Sequence, residues 1–332
     1  MNAFARRLGQ AASALCIALA FAAGPGAASA QDIRVAFGDI PTVESLHFLI
    51  AVERAREKGV DIQVTNFKSE DIAAQAVVTG QADIGVGTPY PLLQKVKAPI
   101  RLFQQMSTLR FYPVVNTEFY TTWKDLDGQE IAVHSRGSGT EAIMQLMADR
   151  NDIEYGNISY VPGSEVRAGA LLQGNIKVTV LDSTNRRIVE ERAPGKFAVL
   201  PMEEVDATDE ALFANVEFLE ENQEAVDILV ESLLTTIREI NDDPAVVAEL
   251  REQYGLLPDL PEELEADIGP YFEEAVATGS LSPNGGGEEA ARSDFDFYGA
   301  AGELQGDPET LKVEDFWDLR PLERALDKLG RV

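Results

Sequence analysis

The chain has 332 residues, 45% hydrophobic and 25% charged, which supplies enough apolar material for a large core in two lobes and excludes a disordered tail. Lys and Arg number 28 against 56 Asp and Glu, so the formal net charge is −28, and nucleic acid and anionic lipid surfaces are excluded as partners. One cysteine and two histidines leave no disulfide framework and argue against a metal centre, since such sites combine several ligands at close spacing.

Residues 1–30 read as a secretory signal peptide. Arg6 and Arg7 give the positive start, 11–23 is apolar, and Ala28-Ser29-Ala30 is a small-residue cleavage site, so the mature chain is expected to begin at Gln31. Cys16 lies inside this segment; read as a lipid-anchor site instead, it lacks the small residue expected after Ser13-Ala14. Losing the segment removes two positive charges and no negative one, so the mature chain is more acidic still. The acids are scattered, which reads as solubility, and an anionic ligand would need a locally positive pocket. No later run approaches the roughly 20 apolar residues of a membrane span.

Residues 33–37 are apolar and β-prone, Gly38-Asp39-Ile40-Pro41 breaks the strand, and 45–56 has helical periodicity ended by Lys58-Gly59. A strand at 61–67, a helix at 70–78 stopped by Gly80 and a strand at 82–86 complete a β-α-β-α-β unit. The order returns after Gly128, with strands at 130–133, 157–161 and 176–181 and helices at 140–150 and 165–172. The halves keep register: Ser69-Glu70 matches Ser164-Glu165, and Thr79-Gly80 matches Gln173-Gly174, at offsets of 95 and 94. Two mostly parallel sheets flanked by helices are expected, an α/β fold in which loops beyond the strand ends confront each other across a cleft.

The extended stretch Phe111-Tyr112-Pro113-Val114-Val115-Asn116 is suited to crossing between lobes, and 197–201 to returning. The remainder reads as helices at 221–241, 244–254, 261–278 and 321–329 wrapping the first lobe, with Asn284-Gly285-Gly286-Gly287 as a mobile loop. The expected division is lobe 1 at 31–113, joined by 203–332, and lobe 2 at 114–202.

Three stretches carry a family resemblance: Gly-Gln-Ala-Asp-Ile-Gly at 80–85; Asp-Leu-Asp-Gly-Gln-Glu-Ile-Ala-Val at 125–133; and Leu-Glu-Glu-Asn-Gln-Glu-Ala-Val at 219–226, leading into a helix that ends Ile240-Asn241-Asp242-Asp243-Pro244. With the tail from Leu311 to Asp318 and Pro321 to Leu326, the chain resembles the nitrate/sulfonate/taurine branch of periplasmic substrate-binding proteins of ATP-driven importers. The resemblance implies the two-lobed type II (Venus-flytrap) binding-protein fold, a monomer in the periplasm, and an importer permease and ATPase as partners. The Gly-Ser-Gly-Thr loop is also similar to one in receptors of tripartite carriers, and an extracellular sensor that docks a receptor would use the same clamp.

The best ligand site is His134-Ser135-Arg136-Gly137-Ser138-Gly139-Thr140-Glu141, between a strand end and a helix start. Ser135, Gly137 and Gly139 let backbone approach a ligand, free N–H groups of a first helical turn attract negative oxygens, Ser138 and Thr140 add hydroxyls, and Arg136 offers a forked charge. The alternative is that Ser138 or Thr140 caps the helix and Arg136 is solvated. The same topology nominates Ser164 and Asp182 in the second lobe, and Asp39, Pro41, Thr42, Lys68, Ser69, Thr88 and Tyr90 in the first. Asp182 either binds an amine or caps a turn; Tyr90 either covers an apolar ligand or packs its loop. A sulfonate or carboxylate fits Arg136 and the helix start, and this anionic ligand is the first expectation; an aromatic or thiamine-precursor-like pyrimidine fits Tyr90 and Asp182. No cofactor is expected, and no enzyme: with Ser138 or Thr140 as nucleophile, His134 as base and Asp182 to orient it, adjacent nucleophile and base positions on a strand-loop junction do not give the geometry of a catalytic triad.

Overall fold

Alternating burial along Asp32–Phe37 (β1) marks a strand with a covered face, and in the computed structural model, which describes residues 32–332, it pairs in parallel with Asp61–Asn66 (β2) and Ile84–Gly87 (β3). The signal-peptide, Cys16 and Gln31 expectations lie outside the described residues. Leu46–Glu57 (α1) buries Leu46, Phe48, Ile50, Ala51 and Val52 and stops at Lys58-Gly59, where Gly59 takes φ +94°. Glu70–Val78 (α2) follows, and Gly85 of β3 lies so close to the Phe213 ring that an added Cβ would sit 2.1 Å from it.

Ile100–Thr108 (β4) and Phe111–Asn116 (β5) come next. The second β-α-β-α-β unit then runs Glu130–Val133 (β6), Gly139–Asn151 (α3), Asn157–Tyr160 (β7), Ser164–Leu172 (α4), Val178–Asp182 (β8) and Ser183–Arg192 (α5). Phe197–Val199 (β9) and Thr208–Asn215 (β10) complete the strands. The sheets have matching orders, β2-β1-β3-β10-β4 and β7-β6-β8-β5-β9, and each contains one reversed strand, β10 in the first and β5 in the second.

This corrects the expected crossing. Residues 111–116 are an interior strand of the second sheet and 197–199 its edge, so the chain passes between sheets at Leu109-Arg110 and returns over 200–207. Both passages are pinned together: the Leu109 N–H donates to the Ala207 carbonyl at 2.8 Å, and the Arg110 guanidinium donates to the carbonyls of Val205 and Thr278 at 2.9 and 3.0 Å.

The rest is helical: Val216–Glu221 (α6), Gln223–Asp242 (α7), Val246–Tyr254 (α8), Glu262–Ala266 (α9), Ile268–Ala277 (α10), Gly287–Ala300 (α11) and Arg320–Leu329 (α12). Residues 261–278 thus form two helices where one was expected. The apolar faces of α7, α8, α10 and α12 share a core with α1 and the first sheet, through Leu229, Leu233, Phe272 and Leu322 against Ile33, Phe48 and Phe103. The Gly-rich stretch at 284–287 is a packed turn against β4, not a free loop. Gln105 N–H donates to the Gly285 carbonyl at 3.1 Å, and a Cβ on Gly286 would sit 2.8 Å from that of Gln105. Glycine is required there by the close approach and by positive φ at three consecutive positions. Among the described residues no helix is long and apolar enough to cross a membrane.

Candidate functional site

The loop ends of the two sheets meet. His134, just after β6, donates from Nε2 to the carbonyl of Gly38, just after β1, at 3.3 Å, and its Nδ1 lies 3.5 Å from Asp39 Oδ2 while accepting from the Gly163 N–H at 3.3 Å. Burial pushes this imidazole down to about 3, so it stays neutral. Both ring nitrogens are committed, leaving none to activate Ser138 or Thr140.

Residues foreseen as one site fall into three places. Thr88, Arg136 and Gly137 line a cavity of about 400 Å³ with Glu70, Lys95 and Phe213. Asp39, Ser138, Gly139, Thr140 and Ser164 line a second gap of about 30 Å³, and Thr42 and Asp182 a third of about 10 Å³. Lys68 is exposed, Pro41 half-buried, and Ser135 buried with an unpartnered hydroxyl. Ser69 is buried and bonds the Asp71 carboxylate.

Tyr90 belongs to the core. It is fully buried, its hydroxyl donates to Asp294 Oδ2 at 2.5 Å and accepts from Trp317 Nε1 at 2.9 Å, and its ring packs on Tyr298, Phe295 and Phe316. Between Pro89 and Pro91 the chain turns inward and carries the ring away from the cleft. Tyr90→Phe is therefore expected to lower stability by about 1–3 kcal/mol in urea denaturation, because it strands Asp294 and Trp317, with ligand affinity unchanged. Lost affinity at full stability would return Tyr90 to the site.

The start of α3 is already occupied by its own carboxylate. Glu141 Oε2 accepts the Gly137 N–H at 2.6 Å and Oε1 accepts the Tyr160 hydroxyl at 2.6 Å. Arg136 stacks over the Tyr160 ring, 5.0 Å from its centre. Ser138 caps the helix, accepting from the Glu141 N–H at 3.4 Å and donating to the Ser135 carbonyl, while Thr140 accepts the His134 N–H at 3.0 Å. Asp182 likewise caps α5, accepting from Asn185 N–H and Nδ2 at 2.7 and 2.8 Å.

Sequence reasoning named Asp39 and Asp182 but missed the other carboxylates. Glu44 borders three adjoining small cavities, Asp209 two of them, Glu70 and Glu210 one, and Glu165 enters from the opposite lobe. Burial is the first cause of the upward shift in each: Asp39 to about 6, Asp209 to about 8, and Glu44, Glu70 and Glu210 well above the carboxylate range, with their mutual repulsion adding. Arg167 is the buried counter-charge, 1% exposed, donating to the carbonyls of Val180 and Val161 at 3.0 and 2.9 Å. One signal was legible: the register match of Ser69-Glu70 with Ser164-Glu165 puts an acid in the first turn of both α2 and α4, and both face the gap. Asp209 and Glu210 had no such signal, because β10 was not foreseen.

The family model described as NMT1/THI5 like matches residues 49–246. No curated protein matches the sequence. Solved structures similar to the chain include a protein from Bordetella bronchiseptica RB50, 20% identical, with a TM-score of 0.72 over 90% of this chain and 98% of that one. The nitrate-binding protein NrtA of Synechocystis PCC 6803 is 12% identical, with a TM-score of 0.70 over 90% and 89%. The alkanesulfonate-binding protein SsuA of Xanthomonas axonopodis pv. citri, bound to MOPS, is 15% identical, with a TM-score of 0.62 over 88% and 99%. At these identities the likeness establishes the two-lobed periplasmic binding-protein fold.

Proposed function

Because the chain belongs to the NMT1/THI5-like family, we propose that it is the periplasmic solute-binding protein of an ATP-driven importer, closing on a small polar molecule and presenting it to a permease and its ATPase. The observation that supports this most is the direct meeting of the two sheets' loop ends, Gly38 and Asp39 with His134, over cavities whose walls come from both lobes. The lobes are the two sheets, the first completed by α6–α12, and the paired passages at 109–110 and 200–207 are the hinge. The proposed site keeps Asp39, Thr42, Ser138, Gly139, Thr140, Ser164 and Asp182 from the sequence-derived set and adds Glu44, Asp209, Glu210 and Phe111. Thr88, Arg136 and Gly137 open onto the neighbouring larger cavity.

Capture without chemistry is the better reading of the polar groups, since the Ser138 hydroxyl caps α3, the Thr140 hydroxyl accepts the His134 N–H, and the two bind each other at 3.0 Å. The protein works as a monomer, and closure follows a ligand whose contacts with the second lobe exist only in the shut form. A thermal-shift screen against amines, sulfonates, nitrate, carboxylates and thiamine precursors, followed by small-angle scattering, tests this. A true solute raises the melting temperature and lowers the radius of gyration. If every solute leaves both unchanged, the capture reading fails.

A further inference from the structure

Five carboxylates of the first lobe converge on the gap: Asp39 and Glu44 after β1, Glu70 at the start of α2, and Asp209 and Glu210 on β10. Two more, Glu165 and Asp182, face them from the second lobe. Asp39, Asp182, Asp209 and Glu210 all stand close enough to Glu44 to repel it. Against these seven stands the Arg167 guanidinium, together with Arg110 in the wall of one cavity, whose Nη groups donate to the carbonyls of Leu109, Val205 and Thr278 and pair with Glu204 while its Nε has no partner in the protein. A gap so composed repels an oxyanion.

A second observation points to a ligand. Thr108, 8% exposed, stands in the wall of the cavity bounded by Glu44, Asp182 and Asp209, and its hydroxyl has no partner in the protein. A buried hydroxyl without a partner is costly, and such groups are normally matched by protein, water or a bound molecule. Two aromatic rings complete the enclosure, Phe111 in the wall of two of the gaps and Tyr271 in two, a setting that favours alkyl chains and cations over anions. Among the described residues no three acidic or His side chains stand at metal-ligating spacing. The carboxylates are spread along the gap, and spread charge matches spread charge.

We propose that the solute captured between the lobes is a small organic cation with at least two protonated nitrogens joined by an alkyl chain, held by Asp39, Glu44, Asp209 and Glu210 from one side and Glu165 and Asp182 from the other. This rests on the capture reading and gives the solute a charge opposite to that expected from Arg136. The chain lies along Phe111 and Tyr271, and the Thr108 hydroxyl accepts from one terminal nitrogen. The raised affinity of the gap's carboxylates for protons supports the assignment, because a bound cation replaces those protons.

Calorimetry at pH 8 with 1,4-diaminobutane, spermidine, ethylammonium, ethanesulfonate, nitrate and calcium tests it. A di- or triamine is expected to bind at least tenfold more tightly than ethylammonium. Asp209→Asn with Glu210→Gln should weaken it at least tenfold without lowering the urea midpoint, since these changes relieve repulsion. The same two-charge change on the outside, Glu249→Gln with Glu252→Gln, should leave binding unaltered. Equal loss in both double variants would mean diffuse attraction to an acidic surface and would overturn the site. Binding of ethanesulfonate or nitrate with the amines silent would overturn the cation while leaving the capture reading intact, and calcium outcompeting the amines would overturn its organic nature. Silence of every probe, with no compaction in scattering, would remove both readings together.

Discussion

Arg167→Met is expected to cost about 3–5 kcal/mol of stability in urea denaturation, the typical loss when a buried charge disappears from among its partners. The side chain is buried beneath α4, where it holds the carbonyls of Val180, in the middle of β8, and Val161, just after β7, and so ties together two strands on the second lobe's side of the gap. It also draws down the pKa values of Asp39 and Glu165, so without it these carboxyls become still harder to ionise. Methionine fills the volume but leaves both carbonyls unpaired in a buried place. Arg167→Lys keeps the charge and loses the fork, and should fall between the two. A midpoint of Arg167→Met equal to wild type would show that the guanidinium is not the counter-charge of the cleft.

The second large effect is on closure. Asp39 faces Arg167, Asp182 and His134 in this structure; Asp209 faces Asp39 and Asp182, with Glu44, Glu210, Tyr271, Glu274 and Arg110 around it. Burial raises the pKa of Asp39 to about 6 and that of Asp209 to about 8, whereas an open, hydrated cleft returns both toward the ordinary value near 4. Closure of the ligand-free protein therefore takes up protons. Its stabilising contribution is full below about pH 4 and is lost as pH rises through 6 to 8. The radius of gyration without ligand is expected to increase from pH 5 to pH 8.5, and less so in Asp209→Asn with Glu210→Gln. A curve independent of pH in both proteins would refute this linkage.

Local chemistry was legible where it acts within a few residues. The helix of Glu70–Val78 and the strand of Glu130–Val133 sit where breakers and periodicity put them, because Gly80 and Gly128, at φ +73° and +71°, end elements by backbone geometry alone. Strands β4 and β10 were not legible. Both mix charged or amide side chains with apolar ones without a strict alternation, Arg101, Gln104 and Gln105 in β4 and Asp209 and Glu210 in β10, and they became strands by pairing with each other across about a hundred residues.

The sequence by itself determined the duplicated α/β plan, the family resemblance and the loops from which a site is built, since strand order and helix starts follow from patterns of near neighbours. Only the tertiary structure decided what those loops hold. It drew Tyr90 into the core, let Glu141 occupy the helix start meant for an anion, and set Asp209 and Glu210 on an interior strand opposite Asp182. A cleft's charge depends on which side chains face each other across it, and residues far apart along the chain acquire neighbours only when the sheets fold together.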